Sequence, residues 1–271
     1  MKRIILVALL VAIAGLAGIV RSRARTEGGI RNLSQVINDD KSRTEVRDEI
    51  RQTYNLSAGA RVEVAGINGA VTIETSDRKN AEVFIERFGA SQEVLNRRKI
   101  TIEATASSLT IRGEKDGGFF SHLFGSNPRE RVTLQLPRAV TLVAKGINGS
   151  VVSGQLDGPV EVSGVNGRVD IAQAAGTAQF SGINGNIAVA LKQIDNGGVE
   201  ISGINGNIEL RLSDSVNADL KARGMNGSVV SDMPNVVIDK SRHGSYNAQI
   251  GSGGNSISAT GINGNIRLTK A

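Results

Sequence analysis

Side chains able to do acid–base or nucleophilic chemistry are sparse in this 271-residue chain, which has two His and no Cys. The missing Cys excludes thiol nucleophiles, thiolate metal sites and disulfides. A serine nucleophile would need His122 or His243 as its base and a carboxylate to orient that base. His122 lies in a Phe-rich loop and His243 in the turn Ser-Arg-His-Gly-Ser-Tyr, and no local motif ties either one to a serine. Glycoside cleavage would need two carboxylates at a set separation, with Glu161, Asp170, Glu200, Glu209, Asp214, Asp219 and Asp239 as the outward-facing candidates. Glu200 and Glu209 fall in regular strand alternation, where solvent-facing charge is the ordinary outcome, and the repeat region offers only Phe180 and Tyr246 as rings. The Asp-rich nonapeptide of calcium-binding solenoids is absent. So is a Gly-x-Gly-x-x-Gly phosphate cradle leading into a helix. The expectation is a non-enzymatic chain with no catalytic, cofactor-binding or metal-binding residues.

Contact chemistry is better represented. Residues 115–130 read KDGGFFSHLFGSNPRE, a loop longer than most connections, which carries three of the six Phe residues. Phe119, Phe120, Leu123 and Phe124 are the candidate partner contact, weighed against rings that fold back to cap the end of a sheet stack. The formal charge of +6 is concentrated at the start of the chain. Residues 1–25 hold five basic residues and no acidic ones, leaving 27 basic against 26 acidic in the remainder. Such a balanced body, poor in aromatics, gives no reason to expect nucleic acid. Ile4–Val20 is an uncharged apolar run between basic flanks, read as a signal peptide or an uncleaved membrane anchor. The expected partners are therefore the membrane, through residues 4–20, and an envelope protein or glycan. The expected location is the cell envelope with the body outside the cytoplasm, either anchored to the inner membrane or exported after cleavage.

The elements that must position these side chains follow from a repeat. Gly-x-Asn-Gly occurs at Gly66–Gly69, Gly146–Gly149, Gly164–Gly167, Gly182–Gly185, Gly203–Gly206, Gly224–Gly227 and Gly261–Gly264, with a degraded copy at Arg242–Ser245. From Gly149 to Gly227 the closing glycines step 18, 18, 21 and 21 residues. Between copies, Val, Ile and Leu alternate with polar residues, the pattern of strands with one buried face. Helix is expected nowhere after Leu56 except around Gln92–Arg98. Two folds fit. In an antiparallel meander each Asn-Gly is a hairpin turn that sets Ile204 against Asn207. In a solenoid each unit is one coil of two or three strands. The likeness of successive turns favours the solenoid, because stacking places each Asn over the next and lets the amides form a ladder.

The pattern Val62–Ile73, the strand VTLQLP at Val132–Pro137 and the repeats through Gly146–Leu268 together resemble the bacterial putative-adhesin family, over roughly residues 50–271. The resemblance implies a right-handed parallel β-helix in an envelope protein and carries no catalytic residues or cofactor. The expected fold class is all-β, a right-handed parallel β-helix or solenoid with 17–21-residue coils after an N-terminal membrane segment. Its expected divisions are a signal peptide or anchor at 1–25, a polar tether at 26–45, a β region with the 115–130 insertion at 46–145, and the repeat solenoid at 146–271. The expected role is a noncatalytic scaffold or adhesin-like binding surface. The alternatives are a regulatory accessory module for a membrane partner and a polysaccharide-active enzyme.

Overall fold

The structure, a computed structural model, describes residues 45–114 and 128–271. In chain order the strands are β1 (Val46–Asn55), β2 (Arg61–Ala65), β3 (Gly69–Ser76), β4 (Asn80–Gly89), β5 (Lys99–Thr105), β6 (Ser108–Glu114) and β7 (Arg129–Pro137). They continue as β8 (Thr141–Lys145), β9 (Val151–Leu156), β10 (Val160–Ser163), β11 (Val169–Ala175), β12 (Ala178–Asn184), β13 (Ile187–Gln193) and β14 (Val199–Asn205). The last are β15 (Ile208–Leu212), β16 (Ala218–Arg223), β17 (Val229–Ser231), β18 (Val236–Arg242), β19 (Ser245–Ile250), β20 (Asn255–Asn263) and β21 (Ile266–Lys270). Among the described residues a single short helix, α1 (Gln92–Asn96), falls where the sequence allowed one, with the Ser91 hydroxyl accepting from the Val94 amide at 3.4 Å.

Two sheets face each other. One runs β1-β4-β7-β3-β9-β11-β13-β15-β21-β17 and the other β18-β19-β16-β20-β14-β12-β10-β8-β2-β6-β5. Each coil contributes one strand to each sheet, and Gly-x-Asn-Gly is the corner between them. The register follows the repeat: Ile204 pairs with Ile183 on one side and Ile262 on the other, in parallel. The hairpin pairing of Ile204 with Asn207 is therefore excluded. Alternation puts Val199 and Ile201 inside and Glu200 outside, and the residue between Gly and Asn turns inward at every corner. Rows of buried side chains form along the stack, such as Val64, Ala144, Val162, Phe180, Ile201 and Ala259.

Stack order is not chain order. The first corner coil, β2–β3, lies between β6–β7 and β8–β9, and the last, β20–β21, lies between β14–β15 and β16–β17. Antiparallel strands cover three of the four sheet ends, β1 and β4 beyond β7, β5 beyond β6, and β19 and β18 beyond β16, while β17 ends its own sheet. Ends closed in this way keep a stack from adding further coils at random. The degraded copy at Arg242–Ser245 is the turn joining antiparallel β18 and β19, so it is no coil corner. Its Gly244 carbonyl accepts from the Met225 amide at 3.0 Å.

Two expectations require correction. The fold class placed the β-structure behind an N-terminal membrane segment, and the membrane was named as partner through residues 4–20. No helix among the described residues is long and apolar enough to cross a membrane, since α1 has five residues and every other element is a strand. Residues 4–20 lie outside the described residues.

The two glycines of a corner serve different purposes. Gly203 has φ +62°, and a Cβ there would meet nothing closer than 3.7 Å, so its requirement is conformational. Gly206 has φ +157°, and a Cβ there would sit 2.2 Å from the Gly185 carbonyl oxygen of the neighbouring coil, so its requirement is also contact distance. Gly203→Ala should cost about 1–2 kcal/mol, with Gly203→Asn milder because Asn enters the left-handed region more readily. Gly206→Ala should cost more than about 3 kcal/mol, the range reached by backbone clashes. Chemical denaturation checks this order, and equal costs at the two positions would contradict it.

Candidate functional site

Each corner holds its Asn side chain on the outside, where an amide can reach the next coil. Nδ2 of Asn226 donates to Oδ1 of Asn263 at 3.1 Å, Asn263 to Asn205 at 3.0 Å, and Asn205 to Asn184 at 3.0 Å. The run continues from Asn184 to Asn166 at 3.1 Å, Asn166 to Asn148 at 3.1 Å, and Asn148 to Asn68 at 2.8 Å. All seven corners are joined and every amide points the same way. The order 205–263–226 passes through the inserted last coil without a break.

At Asn68 the next coil, β6–β7, has no Gly-x-Asn-Gly corner, and other groups stand in. The Pro128 carbonyl accepts from Asn68 Nδ2 at 2.8 Å and Glu130 Oε2 accepts from the Asn68 amide at 2.8 Å. In the regular corners a neighbour's Ile or Val carbonyl takes that second role, as Ile147 does for Asn166. Glu130 is fully buried at its side chain and is paired with Arg98, which also donates to the Gly66 carbonyl. This cluster borders a small recess of about 370 Å³, and its charges serve to end the ladder.

A second ladder runs along the sheet that contains β13, β15, β21 and β17, formed by the residue after the closing glycine. The Asn207 amide donates to Asn186 Oδ1 at 2.9 Å, and the Asn265 amide to Asn207 Oδ1 at 3.0 Å. The Ser228 amide and hydroxyl both donate to Asn265 Oδ1 at 3.0 Å. Sequence reasoning stopped at the first Asn of Gly-Ile-Asn-Gly-Asn. The signal was present, since Asn follows the closing glycine at 186, 207 and 265.

This second ladder forms one side of an open trough of about 760 Å³ on the outer face, within the size range of ligand sites. Ala188, Glu209, Arg267 and Val230 cross it in register, one from each successive strand. Its charges are paired. Arg267 reaches Asp232 through Nε at 2.8 Å and Nη2 at 2.7 Å, Arg211 reaches Glu209 at 3.1 Å, and Arg168 reaches Asp170 at 2.5 Å. The hydrogen bond that Arg211 donates to Glu209 raises the Arg211 pKa further above its already high value, so that side chain stays a cation. The lining contains amides, hydroxyls, paired charges and the aliphatic Ile187, Ala188, Ile208 and Val230, with no aromatic ring.

The other sequence candidates separate. Asp170 and Glu209 share this face with Ala188 between them, about 9.6 Å apart by strand spacing, and each is held by an arginine two residues away, Arg168 and Arg211. Glu161 is paired with Lys145, and Asp214 with Lys270. Asp219 accepts from the Gly254 amide at 3.1 Å. Glu200 and Asp239 are exposed on other strands of the opposite sheet. His243 is exposed at the tip of the β18–β19 turn. Phe119, Phe120, Leu123, Phe124 and His122 lie outside the described residues. Phe84 and Phe88 are half-buried, with Arg51 stacked 4.6 Å above Phe84 and Arg47 and Arg131 over Phe88 at 5.9 and 5.8 Å. Among the described residues no group of three or more His, Cys, Asp or Glu could hold a metal ion.

No family model and no curated protein matches the chain. Among solved structures it is similar to one described as a putative cell adhesion protein of Clostridium sporogenes, at 15% identity and a TM-score of 0.45, covering 83% of this chain and 100% of that one. A putative adhesin of Bacteroides fragilis is similar at 10% identity and a TM-score of 0.37, covering 82% and 97%. One from Parabacteroides merdae is similar at 14% identity and a TM-score of 0.26, covering 82% and 96%. The likeness to bacterial putative-adhesin structures thus recurs over most of the chain, at low identity.

Proposed function

We propose that this chain is a noncatalytic binding scaffold of the cell envelope, and that its trough takes an extended, uncharged, hydroxyl-rich chain such as a glycan. The observation that carries the reading is the trough's lining: a row of amide and hydroxyl groups at strand spacing, Asn186, Asn207, Asn265 and Ser228, beside the aliphatic Ala188 and Val230 and bordered by charges that cancel in pairs. Ligands rich in vicinal hydroxyls suit such a row, since each group both donates and accepts. Paired charges give no field to gather an anion or a cation. The missing aromatic anchors disfavour a tight protein interface. Every strand beneath the trough is hydrogen-bonded to neighbours, β17 at the sheet edge on one side only, so an added peptide strand would find an open edge only there. Binding through hydrogen bonds alone is weak per site, and a surface with a repeating row compensates by engaging several sugar units together. The basic–apolar–basic order of residues 2–25 supports export, with the leader as a signal peptide.

The binding claim is tested on a glycan array with the full chain and two variants. Val230→Trp fills the trough from an exposed position and should lower binding at least about tenfold with unchanged thermal stability, equivalent to about 1.4 kcal/mol. Val237→Trp, exposed on the opposite sheet, should bind like the parent. Equal binding by all three proteins, or binding by none, would overturn the assignment. Cell fractionation with N-terminal sequencing tests the compartment. A mature chain beginning after the leader in the envelope fraction is expected, and an uncleaved chain in the cytosol would refute it.

A further inference from the structure

The last coil, β20–β21, occupies a slot whose two walls are neighbours in sequence. One wall is β14–β15 and the other β16–β17, joined through residues 213–217, while the occupant arrives from the far side of the β18–β19 hairpin. The occupant is hydrogen-bonded on both faces: β20 to β14 and β16, and β21 to β15 and β17. It also supplies Asn263 to the first ladder and Asn265 to the second. Both walls depend on it, and among the described residues β17 pairs with β21 alone. An empty slot would therefore leave sheet hydrogen bonds and buried Ile257, Ile262, Ile266 and Leu268 without partners.

The connection into the slot is Gly251-Ser252-Gly253-Gly254. It is held by side chains of β16 and its approach: Asn217 Oδ1 accepts from the Ser252 amide at 2.9 Å, and Asp219 Oδ2 accepts from the Gly254 amide at 3.1 Å. A short, glycine-rich connection before a self-contained element is the arrangement in which that element can be traded between identical chains, because every contact in the slot is kept and only the hinge changes. We propose that the slot is an acceptor site for residues 255–271 of a second copy, and that the chain forms dimers by reciprocal exchange of this coil. The occupant matches the slot in register, with Ile257, Ala259, Ile262, Ile266 and Leu268 inward and Asn263 and Asn265 at the two ladder positions, and its glycine-rich connection singles it out among coils of like pattern. In an exchanged dimer each trough would take Asn265, Arg267 and Thr269 from the other copy. The exchange does not depend on what the trough binds.

The absence of native Cys makes disulfide trapping clean. Val230 and Arg267 are exposed, in-register neighbours on β17 and β21, about 4.8 Å apart by strand spacing and within disulfide reach. The full chain carrying Val230→Cys and Arg267→Cys is refolded at a series of concentrations, then oxidised. Exchange predicts a covalent dimer holding two interchain bonds between positions 230 and 267 and no free thiol. Its share should rise severalfold across a tenfold increase in concentration, while each single-Cys variant yields no such doubly bonded species. Intrachain-bonded monomer alone at every concentration would overturn the proposal. Arg211→Cys with Thr269→Cys tests the opposite wall by the same readout should the first pair fail to fold. Size measurement of the unsubstituted chain after the same refolding must show the matching dimer, and a monomer throughout would equally overturn it.

Discussion

The structure depends on how closely one corner backbone can approach the next. At Gly206 a single added carbon would sit 2.2 Å from a carbonyl oxygen of the adjacent coil, and Gly149, Gly167, Gly185, Gly227 and Gly264 meet the same constraint at 2.1–2.4 Å. That approach lets the corner amides bond across coils, as Asn166 does to Ile147 and Asn184 to Val165, each at 2.8 Å. The same spacing brings the Asn side chains into hydrogen-bond range and sets the inward Val and Ile side chains in contact. A net hydrogen bond is worth only about 0.5–1.5 kcal/mol, less on an exposed face, so the ladders align the coils more than they stabilise them. Burial of the aliphatic rows supplies the larger favourable term.

Much of this could be read from residues. Gly203-Ile204-Asn205-Gly206 contains a left-handed glycine, an inward aliphatic, an outward amide and a close-contact glycine, and its repetition implied stacking. The stack order could not be read. Coils with the same corner fit one another in any sequence, so periodicity carries no information on which coil lies beside which. The position of β20–β21 between β15 and β17 is set by connections and end strands, whose composition is ordinary. The 37-residue interval between Gly227 and Gly264 was the visible trace of that arrangement, and its degraded copy is a hairpin turn. The Arg98–Glu130 pair was hidden for another reason: it replaces a corner that the repeat lacks, and substitution for an absent motif leaves no pattern.

The candidate site was only partly legible. Carboxylates read as solvent-facing charge are mostly ion-paired, with Asp170 and Glu209 each facing an arginine two residues away in sequence. The trough itself arises from small and large side chains meeting across strands far apart in sequence, such as Ala188, Glu209, Arg267 and Val230. No single strand reveals that. The scaffold and the surface are connected through the second ladder: Asn186, Asn207, Ser228 and Asn265, each following a closing glycine, both lock neighbouring coils and edge the trough.

Amide hydrogen exchange resolved at single residues tests the stacking of corners most directly. If adjacent corners bond as described, the amides of Asn148, Asn166, Asn184 and Asn226 exchange as slowly as those in the middle of β13 and β15, although their side chains face solvent. Exchange at the rate of the exposed turn at 77–79 would show that the corners are separate turns and would contradict the account.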